Sequence, residues 1–185
     1  DHKEPKEYYS KFANYFGTKH ALMVNSGSSA NLLAIASLVF DETIDLNKGD
    51  EVIVPAVSWS TTFFPISQHG LKMNFVDVSL ETLNIDFSKI ENAITKKTKA
   101  IFAVNLLGNP CYFDELMNIC KKHELILIED NCESLGAKYN GVFTGTIGEI
   151  GTFSFFFSHH MQTMEGGMMV TNNERLYQFA CSMRA

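Results

Sequence analysis

Ala100-Ile101-Phe102-Ala103-Val104-Asn105-Leu106, a helical pattern from Asp114 to Lys122, and Leu125-Ile126-Leu127-Ile128-Glu129-Asp130 together decide the fold class. The first run is almost continuously apolar and Leu125 to Ile128 is wholly so. A strand that is apolar on successive residues must be covered on both faces, which is the habit of parallel sheets flanked by helices. The segment between the two runs has the length and pattern of such a helix.

The alternation continues on either side. Toward the N-terminus, Met73 to Val78 reads as a strand, and Trp59 to His69 as a helix ended by Gly70. Glu51-Val52-Ile53-Val54 is a strand stopped by Pro55, and Ala21-Leu22-Met23-Val24 is another. Ser28 to Phe40 is a helix that opens at Ser26-Gly27-Ser28-Ser29, and Asp86 can cap a helix running to Ile94. The expected architecture is one α/β domain, a three-layer α/β/α sandwich around a mixed, mostly parallel sheet. An amphipathic helix from Glu7, closed by Gly17, opens the chain, and a helical pattern from Glu174 to Ala185 ends it without a cap. Both ends are expected to be internal to a longer protein, of which this is an N-terminal portion.

Composition narrows the function classes. The chain has 185 residues, 45% of them hydrophobic, which suits a single sizeable core. Its net charge is −6 and no Lys/Arg cluster stands out, so neither a nucleic acid nor an anionic membrane is expected as a partner. Cys111, Cys120, Cys132 and Cys181 are scattered without the spacing of a metal site, as free thiols in a reducing compartment would be. With no signal-peptide pattern and no apolar run of spanning length, the chain reads as cytoplasmic and free of metal.

Ligands of such sheets sit at the carboxyl ends of the strands. Four polar segments fall there: Asn25 to Ser29, Pro55 to Trp59, Asn105 to Pro110, and Glu129 to Glu133. In the first, Gly27 lets backbone approach an anion and the opening helix offers unpaired amides. An ordinary serine cap accounts for the same residues. Asp130 ends an apolar strand, where a carboxylate is desolvated unless partnered, although a pairing in the following turn would also serve. Trp59, the only tryptophan, is either a core anchor or a contact beyond a strand end. His159 and His160 are adjacent, and in an extended segment their side chains point apart, a poor geometry for one metal.

Phe153-Ser154-Phe155-Phe156-Phe157-Ser158-His159-His160-Met161-Gln162-Thr163-Met164-Glu165-Gly166-Gly167 resembles the cofactor-lysine segment of the DegT/DnrJ/EryC1/StrS sugar aminotransferases. In that family an aromatic run and a Ser or Thr precede the lysine, and a Gly-Glu-Gly-Gly or similar turn follows it. Counting back from Glu165-Gly166-Gly167 puts His159 in the lysine slot. Imidazole cannot make the covalent link to an aldehyde that a lysine amine makes, but it moves protons near neutral pH. The strings Ile53 to Thr62, Val104 to Pro110 and Ser158-His159-His160 extend the resemblance over nearly the whole chain, and histidine in that slot resembles the nucleotide-sugar 3-dehydratase branch.

The resemblance implies the aspartate-aminotransferase-like large domain of the type-I fold, incomplete over residues 1–185, with the small C-terminal domain absent. It implies pyridoxal phosphate and pyridoxamine phosphate as cofactors. Gly27, Ser28 and Ser154 would meet the phosphate, with Ser29 as an extra donor. Trp59 would cover the ring and Asp130 would meet its nitrogen. Glu133 stands where the family commonly has Gln, near the ring's phenolic oxygen. His159 would be the catalytic base, with His160 structural. The implied activity is removal of the C3 hydroxyl from a nucleotide-linked 4-keto-6-deoxy sugar, GDP-4-keto-6-deoxy-D-mannose in colitose and O-antigen formation. L-glutamate would restore the cofactor amine, and the enzyme would be a homodimer. A CDP-sugar 3-dehydrase with an iron–sulfur cluster, a nucleotide-sugar aminotransferase and a non-catalytic protein of the same fold are the competing readings.

Overall fold

A computed structural model describes residues 3–184, so the expected extension of the last helix to Ala185 lies outside the described residues. In chain order the elements are α1 (Lys3–Phe16), β1 (His20–Val24), α2 (Gly27–Phe40), β2 (Glu51–Pro55), α3 (Ser60–Gln68) and β3 (Lys72–Val76). Then come α4 (Phe87–Ala93), β4 (Thr98–Val104), a single 3-10 turn (Leu106–Gly108), α5 (Phe113–His123) and β5 (Ile126–Asp130). A small hairpin, β6 (Lys138–Tyr139) and β7 (Val142–Phe143), precedes β8 (Ile150–Ser154), β9 (Gly167–Thr171) and α6 (Glu174–Arg184).

Seven strands form one sheet in the order β1-β9-β8-β5-β4-β2-β3. The pairs from β8 to β3 are all parallel, and only β9 runs against its two neighbours. Successive residues of the central strands serve opposite faces, as the pleat requires. Val52, Val54, Ala100, Phe102 and Ile128 pack with Leu33, Leu38, Ile66 and Leu176 from α2, α3 and α6. Ile53, Ile101, Ala103 and Leu127 pack on the other side with Ile90, Phe113, Leu116 and Ile119 from α4 and α5. A third cluster joins Phe12 and Phe16 of α1 to Phe153, Phe155, Met168 and Val170. The three layers and the mixed, mostly parallel sheet are as expected.

Two central strands, β8 and β9, have no counterpart among the strands expected from sequence. Both are buried at every residue. Gly151 lies against the Gly145 carbonyl and Gly167 against the Ser26 carbonyl, so closely that a Cβ on either would collide with backbone. The small residues that this approach demands erase the usual strand signature. Among the described residues, no helix is long and apolar enough to cross a membrane, and no group of His, Cys, Asp and Glu could hold a metal ion.

Candidate functional site

The register brings one end of the sheet to a common edge. Val104 lies opposite Asp130, Asp130 opposite Thr152, and Ser154 opposite Gly167. The segments that follow β1, β2, β4, β5 and β8 therefore gather around one cavity of about 350 Å³. Gly27, Ser28, Trp59, Asp130, Glu133, Ser154 and His159 all line it, whereas His160 does not, and none of its lining residues is a lysine. A larger hollow of about 680 Å³, beside Met23, Leu32, Leu33 and Met183, contains none of these groups. The residues expected at the site from sequence line the smaller one.

One wall is the start of α2. The Ser26 side chain caps the helix, its Oγ accepting from the Ser29 amide at 3.1 Å. The Gly27 and Ser28 amides stand in the first turn, where no intrahelical carbonyl reaches them and the helix dipole favours an anion. A Cβ on Gly27 would lie 2.6 Å from Ser154 Cβ and 2.8 Å from Cys132 Sγ. Glycine is required here by space, and that closeness puts the Ser154 hydroxyl beside the helix start.

The floor is Asp130, which is buried. Its Oδ2 accepts from Asn31 Nδ2 and from Thr62 Oγ1, each at 2.8 Å, and its Oδ1 accepts from the Cys132 amide at 3.2 Å. Thr152 Oγ1 donates to Asn31 Oδ1 at 2.6 Å, and Ser58 Oγ lies 2.9 Å from Thr62 Oγ1. Asp130 is thus a carboxylate met by three N–H or O–H donors, by the weak Cys132 thiol, and by no cation among the described residues. Burial, reinforced by the negative Asp130, pushes the neighbouring Cys132 thiol well up from its ordinary range.

On the opposite face of β5, Glu129 is completely buried. It accepts from the Gly145, Ile147 and Gly148 amides at 2.6 Å each and from Asn105 Nδ2 at 3.3 Å. Burial pushes this carboxyl up from the usual range, while those four donors pull it down. Asn105 is equally committed, accepting from the Cys111 amide through Oδ1 and from the Ser134 hydroxyl through its carbonyl. These residues hold the site's loops and do not line the cavity.

The rim is aromatic and open. Trp59 is 73% exposed, so it is no core anchor. His159 is half-buried, its amide donating to the Phe156 carbonyl at 2.9 Å and its ring edge-on to Phe156. One Glu133 carboxylate oxygen, Oε2, is shut away from solvent with no hydrogen-bond partner among the described residues. Sequence reasoning missed Asn31, Thr62, Thr152 and Ser58. The available signal was polar side chains inside segments that otherwise pack as core: Asn31 and Thr62 on helices, and Thr152 on a strand.

With a cofactor-sized cavity at the switch between strands and helices, the fold is that of the type-I aminotransferases, and the chain belongs to the DegT/DnrJ/EryC1/StrS aminotransferase family, which residues 2–185 match. It is 56% identical over 180 residues to the GDP-4-keto-6-deoxy-D-mannose 3-dehydratase of Yersinia pseudotuberculosis, covering 97% of this chain and 46% of that enzyme. The structure of the E. coli GDP-4-keto-6-deoxy-D-mannose-3-dehydratase with bound hydrated PLP superposes with a TM-score of 0.96 at 54% identity, covering 99% of this chain and 47% of that one. The GDP-perosamine synthase of E. coli O157:H7 is 40% identical over 172 residues, covering 93% of this chain and 46% of the synthase. The chain spans about half the length of the curated relatives it matches.

Proposed function

We propose that the full-length protein is a pyridoxal-phosphate-dependent 3-dehydratase of GDP-4-keto-6-deoxy-D-mannose, with L-glutamate as amine donor. The observation that carries this reading is the residue at 159: the cavity has the furniture of a pyridoxal phosphate site, yet His159 lines it and no lysine does. The similarity to dehydratases at 56% and 54% identity supports the substrate.

The residues present fit the cofactor. Gly27 leaves open a cradle that any Cβ would fill, at the amino end of a helix of 14 residues. Asp130 is met by hydrogen-bond donors but by no cation among the described residues, and a protonated pyridine nitrogen would be such a partner. Glu133 has an orphaned oxygen on the same cavity, matching a hydroxyl. In this reading Gly27, Ser28 and Ser154 hold the phosphate, Trp59 covers the ring, Asp130 holds the ring nitrogen and Glu133 meets the ring oxygen. When bound, the cofactor supplies an amine for the sugar's ketone and a ring that accepts electrons.

His159 then carries the movable proton on its imidazole, first as base and then as acid toward the departing C3 hydroxyl. Because no lysine lines the cavity among the described residues, retention of the cofactor rests on non-covalent contacts here. Residues 1–185 serve as most of the cofactor-binding large domain of a cytoplasmic homodimer that works toward colitose and O-antigen. The test is incubation of the full-length protein with GDP-4-keto-6-deoxymannose, pyridoxal phosphate and L-glutamate. A 3-deoxy-4-keto sugar, ammonia and 2-oxoglutarate are expected. A 4-amino sugar would restore the aminotransferase reading, and stoichiometric iron would favour the iron–sulfur one.

A further inference from the structure

We propose that Asn31, Thr62 and Thr152 are positioning residues which saturate one oxygen of Asp130 and leave a single acceptor site, on Oδ1, for the ring nitrogen of the cofactor. The proposal rests on the reading of the cavity as a pyridoxal phosphate site. Its structural basis is a network in which the direction of every hydrogen can be worked out.

The Thr61 backbone carbonyl can only accept, and it lies 3.3 Å from Asn31 Nδ2. That fixes the Asn31 amide with its NH2 toward Thr61 and Asp130 and its oxygen toward Thr152. Thr152 must then donate to Asn31, at 2.6 Å. Asp130 is a carboxylate and accepts only, so the one hydrogen of Thr62 goes to it, and Ser58 must donate to Thr62. Both chains of hydrogens end on the same atom, Oδ2. A carboxylate has about four lone-pair sites, two on each oxygen. Here Oδ2 holds two N–H or O–H donors and Oδ1 holds one, the Cys132 amide; the Cys132 thiol, a weak donor, also bonds Asp130 and is the contact that a ring N–H would displace. The remaining site belongs to Oδ1. Asn31, Thr62 and Thr152 are all fully or almost fully buried, so water does not replace them as donors.

The effect is specific to what Asp130 meets, and that makes it testable apart from folding. In the full-length protein, dissociation constants are measured for pyridoxal phosphate and for its analogue with carbon in place of the ring nitrogen. Thr62→Val keeps the side-chain shape and removes one donor. It is expected to weaken pyridoxal phosphate about 10-fold, the loss typical of one hydrogen bond to a charged group, and to leave the carbon analogue within about 3-fold. Thr62→Ser, which keeps the hydroxyl, should restore affinity for both ligands to within about 3-fold. Thr152→Val acts at one remove, through Asn31, and should show the same preference in smaller degree. Equal weakening of both ligands by Thr62→Val and Thr152→Val would reduce the network to a structural role and overturn the proposal. A wild-type protein that binds neither ligand would overturn the cofactor reading itself, and this inference with it.

Discussion

Adding one methyl group at Gly27 tests whether the start of α2 is held at a working distance. The backbone there lies outside the left-handed region, so alanine meets no dihedral penalty and gains up to about 0.5–1 kcal/mol of helix propensity over glycine. Space opposes it. The new Cβ would sit 2.6 Å from Ser154 Cβ and 2.8 Å from Cys132 Sγ, where carbon atoms prefer about 3.5–4.0 Å. Ser154 Cβ cannot rotate away, because it is fixed to a central strand paired with Gly167. The helix start must therefore retreat by about 1 Å, a strain of about 1–3 kcal/mol that exceeds the propensity gain. A displacement of that size in a positioning group is worth up to about 100-fold in function, so Gly27→Ala should weaken pyridoxamine phosphate binding by about 10- to 100-fold. The assays are equilibrium titration of the cofactor and urea unfolding of the full-length protein. Ser154→Gly removes both Ser154 atoms that crowd the new methyl, so the double variant should recover about 1–2 kcal/mol of stability relative to the sum of the single changes. Unchanged affinity in Gly27→Ala, or strictly additive stability losses, would refute the reasoning.

Three further outcomes are expected. Glu129→Ala strands three backbone amides and the Asn105 side chain in a dry interior and should lower stability by about 3–5 kcal/mol in urea unfolding. Glu129→Gln should be milder, since burial already disfavours the charge; an alanine variant within about 1 kcal/mol of wild type would contradict the account. His159→Asn should cut dehydration by about 100- to 10,000-fold, followed as ammonia release, while cofactor affinity stays within about 3-fold. Asp41 accepts from Thr43 and from Arg175 between α2 and α6. Burial works against its charge, but these donors outweigh it and hold the carboxyl below its usual range. The folded value lies below the unfolded one, so the stabilisation is present above the unfolded pKa and lost as pH falls through the folded one. Asp41→Asn should therefore cost about 1–2 kcal/mol at pH 7, discounted because Arg175 is half-exposed, and thermal melts should show the gap closing in acid.

Of the seven residues expected at the site, Gly27, Ser28, Trp59, Asp130 and Glu133 fall in segments at element boundaries, where an apolar pattern is interrupted; Ser154 and His159 are singled out by the family resemblance alone. Gly27 and Ser28 open α2, Asp130 ends β5 and Ser154 ends β8. In a parallel sheet such ends share one edge, so position along the chain translates into position in space. Asn31, Thr62 and Thr152 carry no such mark. Asn31 and Thr62 are 99 and 68 residues from Asp130 in sequence, and only the closed fold makes them its donors. The strands β8 and β9 were hidden for a different reason. Gly151 and Gly167 are there because neighbouring backbone lies against them, and glycine lowers the strand signal that a single sequence can show. Glu129 reads as a misplaced charge in an apolar run until the pleat turns it away from Asp130 toward the 145–148 loop.

Position 159 differs from all of these in how little the fold asks of it. The loop between β8 and β9 is closed by Phe155 and Gly166, by Thr163 reaching back to the Phe155 carbonyl, and by the Ser154 and Gly167 pair. Within the loop, the amide of residue 159 donates to the Phe156 carbonyl, a bond that any residue but proline can make. Its side chain is half-exposed and faces the cavity. A residue in such a place can change its chemistry without disturbing strand register or core. Gly27, Gly151, Glu129 and Asp130 cannot, because close contacts with side chains or backbone, or several donors, depend on each of them. On the proposed function, the fold and the reaction are written on separable residues.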